Sequence, residues 1–386
     1  MSDLRKLLRP LYEFVRLIRR YGIWAFLAFG VSIPVLYLSG WISIEMVNMF
    51  GRYLALALVA ISLDLIWGYT GMLCLCQSLF FSLGGYAMGM YLAHHGGPEG
   101  IVDKLGWKLP ACLYVVYPYK VGELPTDAMT PWFWKPFYWL PSTFTLGLLI
   151  PGLVALVLGF FVFRSRVRGV FFAVLTQAFT LAAWLVFCMN NMKLCGTNGL
   201  TRFDQIAGFQ LSEPSTKLAL YLITLGMLVL VYLLCSFIIG SRLGRVLIAI
   251  RDDETRLRFA GYQPYVFKMF VFSLSAMIAG LGGMLYAPQM GIFTPTNMEV
   301  KESILVVVWV AVGGRGTLSG AIAGTLLVNL LYNYLTSQHD FIVFTWSPQY
   351  WPFVLGALFI MIVLFFPDGV ASLWRRDTHE IAEDTS

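Results

Sequence analysis

The most concentrated chemistry in this chain lies in residues 249–262, AIRDDETRLRFAGY, where six of the eight residues from Arg251 to Arg258 are charged in a protein that is 12% charged overall. Treated as a helix, residues 241–260 place Leu243, Val246, Leu247, Ile250 and Leu257 on one face, with Arg242, Arg245, Asp252, Asp253 and Arg256 off it. That is an amphipathic pattern. Glu254 falls within the apolar stripe, where a carboxylate is costly to bury unless a partner brings a donor. Gly261 lies on the same line, and Pro264 prevents the helix from running into the next apolar stretch at Lys268. Such a segment is built for recognition. Two placements fit it: a helix lying on a membrane surface, and a helix seated in a groove of a cytoplasmic partner.

The remaining candidates sit inside apolar runs. Gln77, Ser78, Thr176, Gln177, Asn190 and Gln289 are uncharged hydrogen-bonding residues in or at the ends of such runs. Gly313, Gly314, Arg315 and Gly316 interrupt another, and broken helices are one way in which membrane proteins offer backbone groups to a solute. Asp64 and Arg52 are twelve residues apart, about 18 Å along one helix, so each is expected to meet another helix or an interface. No set of Ser, His, Cys and acidic residues shares a helix face, so no enzymatic site is expected. Cys74 and Cys76, two apart on a predicted helix, point opposite ways, and His94 and His95 lack nearby ligand types, so no metal is expected. GGRGTLSG lacks the lysine of a P-loop, and no other P-loop pattern occurs.

These residues are embedded in 386 that are 58% hydrophobic, well above the roughly 45–50% of a soluble domain. Apolar runs recur at 21–41, 46–67, 71–93, 141–163, 169–190, 217–240, 268–287, 303–335 and 350–367, and about 20 such residues cross a bilayer. The first run has no small-residue cleavage site after it and reads as an uncleaved anchor. The net charge of +6 implies no nucleic acid, because the basic residues gather at membrane edges: 5–20, 164–168, 242–258 and the WRR at 374–376. With all four in the cytoplasm, both termini are cytoplasmic and the links 94–140, 191–216, 288–302 and 337–349 lie outside. The run 303–335 must then enter and leave on one side, broken at 313–316, with a first arm from Ser303 to Val312 of only about 15 Å. The fold class is therefore all-α, a polytopic membrane helix bundle of about ten segments including a broken or re-entrant pair. Its parts are a basic cytoplasmic segment 1–20, a single membrane domain 21–370 and a cytoplasmic tail 371–386. Within the domain, 94–140 is an aromatic-rich external insertion and 241–267 a cytoplasmic loop.

The stretch SRLGRVLIAIRDDETRLRFAGYQPYVFKMFVFSLSAMIAGLGGMLYAPQMGI resembles the coupling loop and following helix of permeases in the branched-chain amino-acid and urea family of ABC importers. GYTGMLCLCQSLFFSLGGY (68–86), FRSRVRGVFFAVLTQAFT (163–180), GTNGLTRF (196–203) and LFFPDGV (364–370) follow in the family's order, so the likeness covers most of the chain. YAPQMGIFTP (286–295) and WVAVGGRGTLSGAIAG (309–324) resemble the urea type more than the amino-acid type, although Thr255, Arg256, Leu257, Cys195, Thr197 and Leu305 depart from the usual pattern. The resemblance implies a non-catalytic permease subunit in the inner (plasma) membrane, paired with a second, related permease. Two cytoplasmic ATPases carrying ATP and Mg, and an external solute-binding protein, complete the implied importer. The chain itself would bind no cofactor. The resemblance also favours docking for the charged helix, with Arg251, Asp252, Asp253, Glu254 and Gly261 coupling it to the ATPase. The uncharged polar residues named above would line a path suited to urea, which is small, neutral and rich in amide-type donors. A branched-chain amino acid, or a self-sufficient secondary transporter or channel, are the alternatives.

Overall fold

In a computed structural model, the structure describes residues 26–96, 130–165 and 169–336, together with isolated positions outside those ranges. The basic N-terminal segment, most of the aromatic insertion, the last apolar run and the C-terminal tail lie outside the described residues.

The protein is a multi-pass helical membrane bundle. Among the described residues the α-helices in chain order are α1 (Phe26–Leu38), α2 (Ile44–Thr70), α3 (Gln77–His95), α4 (Leu140–Arg164) and α5 (Val170–Cys188), then α6 (Pro214–Gly240), α7 (Arg242–Phe259), α8 (Pro264–Met290), α9 (Val300–Gly313) and α10 (Leu318–Thr336). Six of these, α2, α4, α5, α6, α8 and α10, are long and apolar enough to cross a membrane. Prolines at the first turns of α4, α6 and α8 fit positions that need no N–H, and left-handed glycines at 71 and 291 stop α2 and α8.

Burial sorts the bundle into layers. The apolar windows of α2 and α8 are 78% and 67% buried, whereas those of α5 and α6 are 22% and 28% buried. So α2 and α8 form the centre with α3, and α5 and α6 turn apolar surface outward. Glycine permits the tightest central approach: a Cβ at Gly84 of α3 would collide with the Gly280 carbonyl of α8. Small residues of this kind allow helix backbones to pack closely in lipid.

The run 71–93 is not one crossing. α3 starts only at Gln77, and residues 71–76 are non-helical. The Gln77 amide meets Ser62, eight residues from the end of α2, and Ser275, eleven residues into α8. Those offsets correspond to about 12–17 Å, or roughly half the hydrocarbon thickness. The chain therefore climbs to mid-membrane without helix before α3 begins. Hydropathy misses this because GMLCLC is as apolar as a helix would be. The same segment corrects the cysteine reading: Cys74 and Cys76 are on no helix, and their sulfurs lie 2.9 Å apart. Among the described residues no group of three or more His, Cys, Asp or Glu is placed to hold a metal.

α9 begins at Val300, three residues before the expected Ser303, and its 14 residues span about 21 Å, still too little to cross. At the end of the bundle away from α7, the link between α5 and α6 carries a two-stranded hairpin, Gln205–Ile206 with Phe209–Gln210. Leu200 pairs there with Phe293 of the α8–α9 link, and Cys195 is disulfide-bonded.

Candidate functional site

The charged helix α7 folds onto the end of α2 and the start of α8. The Ser241 hydroxyl accepts from Leu243 N at 3.1 Å and caps its start, while Leu247 and Ile250 are buried. At Asp253 the backbone leaves helical geometry (φ −156°, ψ 96°), and its carboxylate accepts from Thr255 N at 2.9 Å and Arg256 N at 3.3 Å. Asp253 thus caps a second half-helix, and the hydrogen bond from Arg256 N holds its carboxyl below the ordinary 3.8. Gly261, left-handed at φ +84°, ends that half.

Glu254 finds its donors within the chain. Arg258 donates to one oxygen at 2.6 Å and Lys268 of α8 to the other at 2.8 Å, with the carboxylate side chain only 11% exposed. The residues that α7 leaves exposed include Arg242, Arg245, Asp252, Thr255, Arg256 and Phe259. Arg251 reaches the other way, donating from Nη1 to the Gly68 carbonyl of α2 at 2.9 Å.

That carbonyl adjoins the broken helix. α9 stops at Gly313, Gly314 and Gly316 adopt positive φ (108° and 77°), and α10 starts at Leu318. Gly316 N donates to Asp64 Oδ1 at 2.6 Å, and Tyr69 OH donates to Gly316 O at 3.1 Å. Arg315 Nε donates to Trp67 O at 3.0 Å, with its guanidinium over the Trp67 ring at 5.2 Å. The last turn of a helix leaves four carbonyls without intrahelical donors. Here two consecutive ones, Trp67 and Gly68, are taken by arginines from the break and from α7. Asp64 and Arg52 do not meet: Asp64 holds the turn, and Arg52 reaches Met290 Sδ at 3.2 Å.

The neutral polar residues divide into groups. Gln77 Nε2 donates to Ser275 Oγ at 2.9 Å, its Oε1 accepts from Ser62 at 3.2 Å, and Ser275 donates to Ser62 O at 2.6 Å. Ser78 bonds Ser303 of α9. Thr176 of α5 accepts from Leu75 N at 3.1 Å, and Thr180 turns to Leu75 O at 3.4 Å, so α5 satisfies the backbone of the unwound segment. Gln177 follows Thr176, but both of its amide atoms are buried without a partner. Gln289 is elsewhere, at the far end of α8 and bonded at 2.8 Å to Thr224, ten residues into α6, and Asn190 sits exposed beyond the end of α5. Sequence reasoning missed Ser62, Thr180, Ser275 and Ser303. Their signal is a hydroxyl residue within an apolar run. A cavity of about 140 Å³ lies at the foot of the unwound segment, lined by Met72, Gly169, Phe172, Arg251, Glu254 and Lys268 among others.

Comparison with known proteins adds the lineage. The family described as branched-chain amino acid transport system, permease component, matches residues 45–363. The high-affinity branched-chain amino acid transport system permease protein LivM of Salmonella typhimurium is 24% identical over 375 residues, covering 92% of this chain and 75% of LivM. LivM of Escherichia coli is 25% identical over 250 residues, covering 58% of this chain and 57% of its own length. The autoinducer 2 import system permease protein LsrC of Salmonella paratyphi B is 29% identical over 155 residues, covering 39% of this chain and 43% of LsrC. No solved structure matches.

Proposed function

Because the chain belongs to the family of permease components of branched-chain amino acid transport systems, we propose that it is the translocating subunit of an ATP-driven importer for a small uncharged solute, urea foremost. One observation carries the choice of solute: the buried polar side chains named above at the mid-membrane end of the unwound segment, Ser62, Gln77, Ser78, Thr176, Thr180, Ser275 and Ser303, are uncharged, and the charged Arg251, Glu254 and Lys268 lie at its foot. A zwitterionic amino acid stripped of water needs compensating charges, whereas urea needs only amide and hydroxyl partners. The importer would be completed by a related permease, two cytoplasmic ATPases holding ATP and Mg, and an external binding protein. In this reading α7 meets the ATPase in the cytoplasm through its outward Arg256 and Phe259, and Arg251 carries the movement to α2. Asp252, Asp253, Glu254 and Gly261 shape the helix for that role. The disulfide-bonded Cys195, at the opposite end of the bundle, agrees with that end facing an oxidising compartment.

The test is uptake by the complete importer in proteoliposomes, with labelled urea and labelled leucine offered separately. ATP-dependent urea uptake is the expected result. Leucine uptake without urea uptake refutes the solute and leaves the branched-chain reading, which the likeness to LivM favours. Impermeant thiol labelling at introduced cysteines tests orientation: reagent added outside should reach position 120 and not position 377.

A further inference from the structure

Several described side chains bury polar atoms that bond nothing: Arg52 Nε, Asp64 Oδ2, Thr216 Oγ1, Gln289 Oε1 and Trp309 Nε1 are scattered over α2, α6, α8 and α9, and four more such side chains lie on α3 and α5. Ser82 is 0% exposed and Tyr86 2%, and neither hydroxyl has a partner. On α5, both amide atoms of Gln177 and the indole N–H of Trp184 are also buried and unpartnered. Buried polar groups are nearly always paired in folded proteins, so each exception calls for a cause. Close by, Gln77, Ser78, Thr176, Thr180 and Ser275 all find partners, so loose packing is not the cause.

The four divide between α3 and α5, which touch at the Tyr86 and Phe187 rings. Ser78, Ser82 and Tyr86 recur every four residues and share a face of α3, and Gln177 and Trp184, seven apart, share a face of α5. The two helices are tied together below by Leu75 N to Thr176 and above by the Tyr86 ring against Phe187, 4.7 Å between centroids, and Gln177 and Trp184 lie roughly a quarter-turn around α5 from those contacts. Ser303 of α9 closes one side through Ser78, and Phe293 packs on the Tyr86 ring at 5.5 Å. Between the two ties the unpaired atoms extend over about 10 Å, starting at the mid-membrane level of Gln77.

We propose that this α3–α5 contact is a solute-binding station on the translocation path, and that its unpaired polar atoms are the ones the solute pairs. The proposal rests on the permease reading above and narrows its substrate class. The station offers N–H donors from Gln177 and Trp184, a carbonyl acceptor from Gln177 and hydroxyls from Ser82 and Tyr86 that serve either way. None of these, nor any residue of the ties, carries a charge. The complement is a small molecule bearing N–H donors and one carbonyl, a urea or a short primary amide. A carboxylate would find no cation there to offset its desolvation.

The complete importer in proteoliposomes provides the test. With wild type carrying urea, Tyr86→Phe, which keeps the ring packing, and Gln177→Leu should each lower urea uptake at subsaturating concentration by about tenfold, the scale of one lost hydrogen bond to solute. The yield of assembled complex should stay at the wild-type level. Ser82→Cys should gain labelling by methyl methanethiosulfonate above the wild-type background, and urea or acetamide should protect it while leucine does not. Urea uptake within about twofold of wild type in both variants, or labelling of Ser82→Cys that amides leave unchanged, overturns the station but leaves the permease reading standing. A wild-type importer that carries leucine and no amide overturns both the proposed solute and the station.

Discussion

Replacing Gly68 with alanine probes the contact on which the coupling argument depends. Gly68 lies in the last turn of α2, where an added Cβ would run into Asp64 Oδ1 and stand 2.6 and 2.7 Å from Gly316 N and Cα. Comfortable carbon contacts are nearer 3.5–4.0 Å, so the turn must retreat by about 1 Å. The obstacle is backbone on one side and a carboxylate already committed to Gly316 N on the other, so no rotamer change relieves it. Overpacking of this kind costs about 1–3 kcal/mol. Loss of the charged hydrogen bond between Asp64 and Gly316 adds about 1.5–3 kcal/mol, for a total of about 2.5–6 kcal/mol. The Arg315 bond to Trp67 O is strained by the same retreat. Thermal unfolding of the purified complex, followed in parallel with solute-stimulated ATP hydrolysis, reads the effect. Gly68→Ala should unfold at clearly lower temperature and lose stimulation. Gly226→Ala is the control, since a Cβ there meets nothing within 4 Å, and it should stay within about 1 kcal/mol of wild type. If Gly68→Ala unfolded and coupled like wild type, α2 would not touch the break and the route from α7 to α9 would be wrong.

Arg251→Ala removes the hydrogen bond from α7 to the Gly68 carbonyl and should leave a folded complex whose ATP hydrolysis no longer responds to solute, whereas normal stimulation would remove Arg251 from the route. Glu254→Lys places a third cation beside Arg258 and Lys268 in a site that is mostly buried, so the complex should form at reduced yield, with Glu254→Gln intermediate; equal yields for all three would mean the cluster does not hold α7 to α8. For Asp253, the folded carboxyl lies below the ordinary 3.8, so its capping contribution is fully present above that pH and is lost as pH falls through the lower folded value. Amide exchange at Thr255 and Arg256 should therefore stay protected from neutral pH down to mildly acidic conditions, and Asp253→Ala should remove that protection at every pH; protection lost already near neutrality would contradict the cap.

What could be read from sequence was whatever depends on local composition. The charge cluster on an apolar stripe locates α7, and the stripe's demand for a donor at Glu254 follows from burial alone. Which donor answers it does not, because Lys268 stands fourteen residues away beyond the Pro264 interruption. The glycines at 313–316 mark the separation of α9 from α10, since a positive φ repeated within three residues is written in residue type. The unwound stretch 71–76 has no such mark. Hydropathy measures transfer from water and is blind to whether the transferred backbone is helical. The groups that satisfy that backbone, Thr176 and Thr180, come from α5, 101 and 105 residues later. The orphaned atoms of Ser82, Tyr86, Gln177 and Trp184 are invisible for the same reason, because an absent partner is a property of three-dimensional packing.

The two features that sequence did mark turn out to share one anchor. A helix ending inside a bilayer must have its last carbonyls satisfied by protein or by water. At the end of α2 the donors to Trp67 and Gly68 are Arg315 from the break and Arg251 from the charged helix, so neighbouring peptide groups are gripped by two different elements. Pulling α7 away withdraws the donor from Gly68, and α2 can keep that carbonyl satisfied only by following α7 or by admitting water. If it follows, the motion passes through Asp64 to Gly316 and hence to the turn between α9 and α10. The cost of leaving a buried carbonyl unpaired, about 1–3 kcal/mol, is what makes following the cheaper response. A charged segment in so apolar a chain is thus explained by what one arginine holds: a peptide group two residues from the end of the central helix and four from the carboxylate that fixes the break.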